Sequence, residues 1–226
     1  MAESLAPARD AGPALRLRVA EIFHSIQGEA DAVGWRTVFV RLTGCPLRCT
    51  WCDTEYAFHG GQWRDIDAIL AEVASHEARH VCVTGGEPLA QKRCLVLLER
   101  LCDAGYQVSL ETSGALDIGA VDPRVHRVVD FKAPGSGESA RNLWSNVGHL
   151  GANDQVKMVL ADRGDYDWAR QVLAEHRLAD RCQVLLSPVA GVLPPGQLAD
   201  WILADRLPVR LQLQLHKLLW GDVPGR

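Results

Sequence analysis

The chain alternates between short apolar runs and longer segments in which apolar residues recur at helical spacing. The apolar runs predict strands, which we place at residues 17–26, 37–42, 80–84, 107–112, 126–131, 156–160, 183–186 and 210–215. Apolar residues three and four positions apart predict helices, which we place at residues 65–77, 89–104, 166–175 and 195–204. Gly105 directly follows the second of these helices and is a typical C-terminal stop.

This order of strands and helices is typical of parallel β/α units joined by right-handed crossovers. The sequence therefore predicts an α/β fold. About six such units within 226 residues are too few for a complete eight-fold barrel of ~250 residues. We predict a partial, TIM-like β/α barrel of about six parallel units. Because no internal repeat or long linker interrupts the pattern, we expect one domain at residues 17–226, preceded by a disordered tail at residues 1–16.

The chemically unusual residues stand where predicted strands end. The active sites of β/α barrels collect at the C-terminal ends of their strands. At those ends this chain has a cysteine-rich loop after residue 42, Gly85-Gly86-Glu87-Pro88, Glu111-Thr112-Ser113-Gly114, Lys132 and Ser187-Pro188. This coincidence predicts an enzyme.

Composition and charge exclude several classes of protein. Hydrophobic residues at 47% and charged residues at 23% are ordinary for a soluble globular protein. A formal net charge of −4 gives no electrostatic footprint for nucleic acid or an anionic membrane. No apolar run approaches the ~18–20 residues that span a bilayer, and seven cysteines are an odd number that does not suggest a disulfide framework. We expect a cytoplasmic protein with no direct nucleic-acid or membrane partner.

Cys45, Cys49 and Cys52 form a C-x3-C-x2-C pattern in the loop after residue 42. Three thiolates this close can face one metal centre, whereas a closed zinc or iron–sulfur site normally takes four protein ligands. The spacing favours an iron–sulfur cluster with one iron left open. A zinc knuckle with His59 as the fourth ligand, or three ordinary buried thiols, are the alternatives.

Gly85 and Gly86 are a second signal. Taken alone, they predict a tight strand-to-helix turn with Pro88 at the helix start. Together with the cysteine spacing, however, the turn resembles the signatures of the radical S-adenosylmethionine (SAM) enzymes. The resemblance implies a 4Fe–4S cluster on the three cysteines, SAM chelated by the open iron, and a Gly-Gly turn that holds the methionine amino group.

Four further segments resemble one branch of this superfamily, over nearly the whole chain: residues 21–29, 39–45, 52–54 and 214–217. The resemblance implies a carbon–nitrogen lyase of queuosine biosynthesis, which contracts the ring of 6-carboxy-5,6,7,8-tetrahydropterin to a 7-deazapurine with loss of ammonia. It implies that SAM cleavage starts this reaction, and that no side chain serves as a catalytic acid or base. It also implies an electron donor such as flavodoxin or ferredoxin, and a homodimer.

The same resemblance assigns residues to the site. The implied substrate-binding residues are Ile26, Gln27, Gly28, Arg41 and Thr84. The implied SAM-binding residues are Trp51, Asp53, Gly86, Asp130, Phe131, Lys132, Ser187 and Pro188. Thr54 is implied as a magnesium ligand; Mg²⁺ keeps several waters, so one protein hydroxyl is chemically sufficient. Arg41 can clamp the substrate carboxylate with its planar fork, although a surface ion pair is the commoner role of an arginine.

Two segments depart from the pattern of that branch. Asp130-Phe131-Lys132 replaces the usual Ser-Pro-Lys, so backbone groups would have to make the serine contact with SAM. Leu215 replaces a threonine before His216, and the chain continues to residue 226. The other cysteines, Cys82, Cys94, Cys102 and Cys182, are predicted to be structural. Three alternatives remain: a radical enzyme that activates a protein partner, a zinc-binding structural module, and a cluster-bearing electron carrier.

Overall fold

The computed structural model describes residues 15–221, 223 and 225. Most of the predicted disordered tail, residues 1–14, lies outside the described residues. Arg16, which the prediction assigned to that tail, is instead the first residue of the first strand and pairs with Asp65. No helix in the described part of the chain is long and apolar enough to cross a membrane.

The described residues form one nine-stranded sheet in the order β3-β1-β2-β4-β5-β6-β7-β8-β9. The strands are β1 (Arg16–Ile26), β2 (Arg36–Leu42), β3 (Gln62–Asp65), β4 (His80–Gly85), β5 (Gln107–Thr112), β6 (His126–Asp130), β7 (Gln155–Leu160), β8 (Gln183–Pro188) and β9 (Arg210–Leu211). The strands from β2 through β4 to β9 are parallel, and β1 and β3 add an antiparallel edge. The predicted partial β/α barrel is confirmed: seven parallel strands are joined by six crossovers, in agreement with the predicted number of about six units.

The α-helices are α1 (Ile66–Ser75), α2 (Cys94–Asp103), α3 (Arg163–Glu175), α4 (Pro195–Asp205) and α5 (Leu215–Trp220). Helix α2 begins later than predicted, because the predicted first turn is a separate 3-10 turn at Pro88–Ala90. The crossovers from β5 to β6 and from β6 to β7 contain no α-helix, and three 3-10 segments occupy the second of them. The extended segment predicted at residues 210–215 contains β9 and the extended Gln214, but its last residue, Leu215, is the first of α5.

Alternating side chains divide the buried residues between the two faces of the sheet. Val129 belongs to the main core, which includes apolar residues of α1 to α4, whereas its neighbour Val128 belongs to a small cluster with Leu185 and Ala30. Adjacent strand residues point to opposite faces, so the small cluster lies on the inner face of the barrel. Ala30 comes from the loop after β1, which therefore enters the barrel.

The segment after β1 pairs with the end of the chain. Consecutive side chains and carbonyls of residues 28–31 accept hydrogen bonds from residues 210–215. The donors and acceptors are Leu215 to Gly28 (3.0 Å), Gln214 to Glu29 (2.9 Å), Gln212 to Ala30 (3.5 Å) and Arg210 to Asp31 (2.8 Å). Strand β9 is one edge of the sheet and β1 lies next to the other edge. This pairing therefore closes the gap of the open barrel.

The turn after β4 packs directly on the start of the cysteine loop. The amide of Gly86 donates to the carbonyl of Leu42 (3.1 Å), and the amide of Glu87 donates to the carbonyl of Gly44 (2.7 Å). A Cβ on Gly85, whose φ is +150°, would overlap the Leu42 carbonyl, and a Cβ on Gly86 would overlap that of Gly44. Both glycines are thus required by the close approach of two backbones.

Glu87 fixes this turn from the other side. Its fully buried carboxylate accepts hydrogen bonds from the amide of Leu89 (3.0 Å) and the hydroxyl of Thr112 (2.9 Å). It also accepts bonds from the amide and hydroxyl of Ser113, at 2.7 and 2.5 Å. A buried carboxylate is tolerated when its oxygens are satisfied in this way. Glu87 therefore ties the Gly-Gly turn to the end of β5.

Replacing Gly86 with alanine should destabilise the protein, because the new methyl group would press against backbone that cannot rotate away. We expect the free energy of unfolding to fall by about 1–3 kcal/mol, the usual cost of overpacking. Gly196→Ala is the matched control: apart from its chain neighbours and the backbone of its own helix, no atom of the described residues lies within 4 Å of the added Cβ. That change should leave stability unchanged or raise it by about 0.4–1 kcal/mol. Urea unfolding of both variants measures the difference, and equal stabilities would contradict the proposed contact.

Candidate active site

A cavity of about 380 Å³ opens at the C-terminal ends of the parallel strands. This volume lies within the usual range for small-molecule sites. Most residues predicted for the site line it: Ile26, Gln27, Gly28, Arg41, Cys45, Cys49, Trp51, Cys52, Asp53, Thr54, Thr84, Gly86, Asp130 and Lys132. The fold therefore brings together segments that are more than 100 residues apart in the chain.

The cysteine loop forms one wall of the cavity. Cys45, Cys49 and Cys52 are all partly exposed there. Burial raises the pKa of the Cys49 thiol to about 11, and burial also raises the pKa of Cys45 and of Cys52. In the absence of a metal these thiols are therefore protonated at neutral pH.

Neighbouring segments hold the loop in place. The amide of Thr50 donates to the carbonyl of Ser136 (3.0 Å), and the amide of Arg48 donates to the carboxylate of Glu138 (2.6 Å). The amide of Gly44 donates to the carbonyl of Ala57, 2.8 Å away. The segment between β6 and β7 therefore fixes the loop on one side and the 3-10 turn after it on the other.

The three thiols suit an iron–sulfur cluster better than one zinc ion. The described residues contain no group of three or more His, Cys, Asp and Glu side chains arranged to hold a single ion. Ligands of one zinc must converge on one point. Cysteines that bind different irons of a cluster do not have to converge. Partly exposed sulfurs on one wall of a cavity therefore fit a cluster with one open iron.

Lys132 lies on the same side of the cavity as the cysteines. Its backbone is fixed by Asn142, whose amide side chain accepts from the Lys132 N–H (2.8 Å) and donates to its carbonyl (3.0 Å). Its ammonium pairs with Asp130 at 2.9 Å. Burial acts to lower the pKa of Lys132, but Asp130 and Cys49 outweigh it and raise that pKa. Lys132 is therefore a fixed positive charge beside the cysteine loop.

Three predicted SAM-binding residues do not line the cavity. Phe131 is fully buried in the main core, with its ring 4.9 Å from that of Trp144. Ser187 and Pro188 are buried at the end of β8, and the next two residues, Val189 and Ala190, line the cavity instead. The contacts predicted for these three residues remain predictions, and Phe131 could make its contact only through backbone atoms.

Arg41 reaches the cavity from β2. Its Nε donates to the Glu21 carboxylate on the adjacent strand at 2.7 Å, and its guanidinium carbon lies 5.5 Å from the Phe23 ring centre and 5.8 Å from that of Tyr56. Its terminal nitrogens make no hydrogen bond within the described part of the chain. Arg41 is therefore held in an ion pair and still has donors to offer a ligand.

A group of buried charges lies deeper in the cavity, and sequence reasoning missed the lysine at its centre, Lys157. The ammonium of Lys157 is 2.7 Å from a Glu29 oxygen, 3.5 Å from Glu111 and 3.7 Å from Asp130. Burial raises the pKa of Glu111 to about 7, although Lys157 opposes this shift. Oε1 of Glu111 and Oδ1 of Asp130 are buried and accept no hydrogen bond among the described residues. The signal in the sequence was a lysine within the apolar run of β7.

Thr54 lies at the mouth of the cavity beside the last cysteine. Its hydroxyl donates to Asp53 at 2.7 Å, and Asp53 lies 3.4 Å from the ammonium of Lys217. The C-terminal residues Gly221, Val223 and Gly225 also line the cavity. The C-terminal segment, whose role the sequence left open, is therefore part of the cavity wall.

The fold and the three-cysteine loop define a radical SAM enzyme. Residues 39–130 match the model of the Radical SAM superfamily. Over 209 residues the chain is 47% identical to the 7-carboxy-7-deazaguanine synthase of Chlorobaculum tepidum, covering 91% of this chain and 94% of the relative. It is 41% identical to the Koribacter versatilis enzyme of the same name, covering 90% and 97%. The chain belongs to the 7-carboxy-7-deazaguanine synthase family.

A solved structure supports the same fold. The crystal structure of QueE from Escherichia coli superposes with a TM-score of 0.74, covering 89% of this chain and 95% of that chain at 24% identity. Membership of the radical SAM superfamily implies a 4Fe–4S cluster and SAM, and membership of the 7-carboxy-7-deazaguanine synthase family makes the protein a lyase. The cavity fits both, because it combines the cysteine wall with the Gly-Gly turn after β4.

Replacing Cys45, Cys49 or Cys52 with alanine should abolish the brown iron–sulfur absorbance and all cleavage of SAM, because each thiolate holds one iron of the cluster. Cys102→Ala is the matched control, since Cys102 is also partly exposed but lies on α2 away from the cavity. Iron and sulfide analysis after anaerobic purification measures the outcome. A Cys45→Ala protein with full iron content would contradict the assignment.

Proposed function

We propose that this protein converts 6-carboxy-5,6,7,8-tetrahydropterin into 7-carboxy-7-deazaguanine with loss of ammonia, a step of queuosine biosynthesis. Its relatives are named after this product, 7-carboxy-7-deazaguanine. One observation supports the substrate most directly: Arg41 offers unused guanidinium donors in the same cavity as the three cysteines. A carboxylate is the natural partner of a planar arginine fork.

The bound cluster and SAM supply the radical that starts the reaction, and the protein supplies position and exclusion of water. Arg41 binds the carboxylate of the pterin. Ile26, Gln27, Gly28 and Thr84 contact the heterocycle, and the 4% exposed side chain of Gln27 is well placed to exclude solvent there.

The buried charges complete the substrate side of the cavity. Lys157 and Gln214 each bond one oxygen of Glu29, so this carboxylate is fixed and ionised. Burial acts to raise the pKa of Glu29, but Lys157 outweighs it and lowers that pKa. The free Oε1 of Glu111 can accept a hydrogen bond from an amino or imino group of the pterin. This set of acceptors suits a heterocycle rich in N–H donors.

On the cofactor side, Trp51, Asp53, Gly86, Asp130 and Lys132 contact SAM, together with the strand-end residues Phe131, Ser187 and Pro188. Thr54 binds Mg²⁺ with the substrate and waters. A reduced flavodoxin or ferredoxin delivers the electron, and the protein acts as a homodimer in the cytoplasm. Residues 16–221 form a single domain.

Arg41→Ala should lower turnover of the carboxylated pterin steeply, because a charge pair shielded from water loses one partner. Such a loss typically costs about 2–5 kcal/mol. The cluster and the slow uncoupled cleavage of SAM should survive, and Arg41→Lys should recover only part of the loss. Arg100→Ala, which breaks an exposed pair with Asp67, is the control. Product formation and uncoupled cleavage are measured side by side. Normal turnover by Arg41→Ala would remove the main support for the substrate.

Activity should rise with added magnesium if Thr54 is a ligand of the metal. Thr54→Ala should weaken this dependence, whereas Thr54→Ser, which keeps the hydroxyl, should retain it. Initial rates across a magnesium titration of chelator-treated enzyme provide the measurement. Full activity of the wild type in excess chelator would show that the metal is not required.

A further inference from the structure

Glu21 forms an ion pair with Arg41 and lies outside the cavity. The two residues are direct partners in the antiparallel register of β1 and β2, and the register shifts between Val19 and Glu21. Phe23, Phe39, Arg41 and Tyr56 line the cavity, but Glu21 does not. Glu21 therefore contacts the arginine and not the space that a ligand would fill.

One oxygen of Glu21 receives two hydrogen bonds. Oε1 accepts from Arg41 Nε at 2.7 Å and from the hydroxyl of Tyr56 at 2.7 Å. The tyrosine hydroxyl can only donate in this contact, because its partner is a carboxylate oxygen. Two anchors from different segments, β2 and the turn after the cysteine loop, meet on this carboxylate.

The flanking rings restrict the arginine further. Phe23 and Tyr56 lie within cation–π distance of the guanidinium, and Phe23 itself stacks on Phe39 with ring centres 4.8 Å apart. With Nε engaged by Glu21, the remaining donors are the two terminal nitrogens at the far end of the plane. A ligand can use both only when its two acceptor oxygens lie in that plane, as those of a carboxylate do.

We propose that Glu21, supported by Tyr56, is the positioning residue that makes Arg41 selective for a planar carboxylate. This inference rests on the proposed function. Glu21 orients the fork before the substrate arrives, so binding does not have to order a free arginine side chain, whose entropy loss is among the largest of any residue. The negative charge of Glu21 also repels the substrate carboxylate, but its partial exposure to solvent screens that repulsion. Orientation therefore outweighs repulsion.

The test compares two ligands on the cluster-loaded enzyme: the carboxylated pterin, by its KM, and tetrahydropterin without the carboxylate, by its Ki as a competitor. The ratio of Ki to KM measures selectivity for the carboxylate. Glu21→Ala should lower this ratio about tenfold while kcat, iron content and uncoupled SAM cleavage stay within about twofold of the wild type. Glu21→Gln, which can still accept from Arg41 Nε, should stay within about threefold of the wild-type ratio. Asp67→Asn, the carboxylate of an exposed pair, is the control and should change nothing.

Tyr56→Phe removes the hydroxyl that bonds Glu21 and keeps the ring, so it should lower the ratio about threefold. If Glu21→Ala does not fold, the Tyr56→Phe variant provides the test. In an Arg41→Ala background, Glu21→Ala should lower the ratio no further. Wild-type ratios in both Glu21→Ala and Tyr56→Phe would overturn the proposal. An equal rise of KM for the carboxylated pterin and of Ki for tetrahydropterin would also overturn it, because that result indicates general damage to the site. A wild-type enzyme that does not turn over the carboxylated pterin would instead overturn the proposed function.

Discussion

The backbone contact between the Gly-Gly turn and the start of the cysteine loop is the constraint on which the site depends. Strands β2 and β4 are neighbours in the sheet, so their C-terminal ends lie side by side. The loop can leave β2 in its observed direction only if the turn after β4 carries no side chains at Gly85 and Gly86. Glu87 then fixes the turn to β5. This one packing requirement therefore fixes the positions of the cluster ligands and of the SAM site relative to the sheet.

A second constraint, the pairing of two distant segments, forms the substrate side of the cavity. The segment after β1 enters the barrel and pairs with the end of the chain, and this pairing delivers Gln27, Gly28 and Glu29 to the cavity. It also requires a glycine, because a Cβ on Gly28 would overlap the ring of His216. Glu29 is stable there because Lys157 neutralises it; breaking a buried pair typically costs about 3–5 kcal/mol. The buried charges explain why the cavity suits a small polar heterocycle rather than a protein segment.

The sequence was sufficient for most of the parallel strands, because they are apolar runs and several have a chemically unusual residue at the end, as at Lys132 and Gly85. It was insufficient for β3 and α5, which contain no buried residue, so burial leaves no periodic pattern. The three cysteines were found by their spacing. Lys157 and Glu21 were not, because their roles come from contacts between segments that only the folded chain brings together. Phe131 is the opposite case: the resemblance assigned it to the SAM site, but its side chain is buried in the core.

Anaerobic turnover by the purified, cluster-loaded protein with SAM, a chemical reductant, magnesium and the carboxylated pterin tests the substrate most directly. Mass spectrometry follows the product. We expect 7-carboxy-7-deazaguanine and ammonia without any added protein substrate, and no deazapurine from tetrahydropterin that lacks the carboxylate. Cleavage of SAM at a normal rate with no deazapurine from the carboxylated pterin would show that the carboxylated pterin is not the substrate.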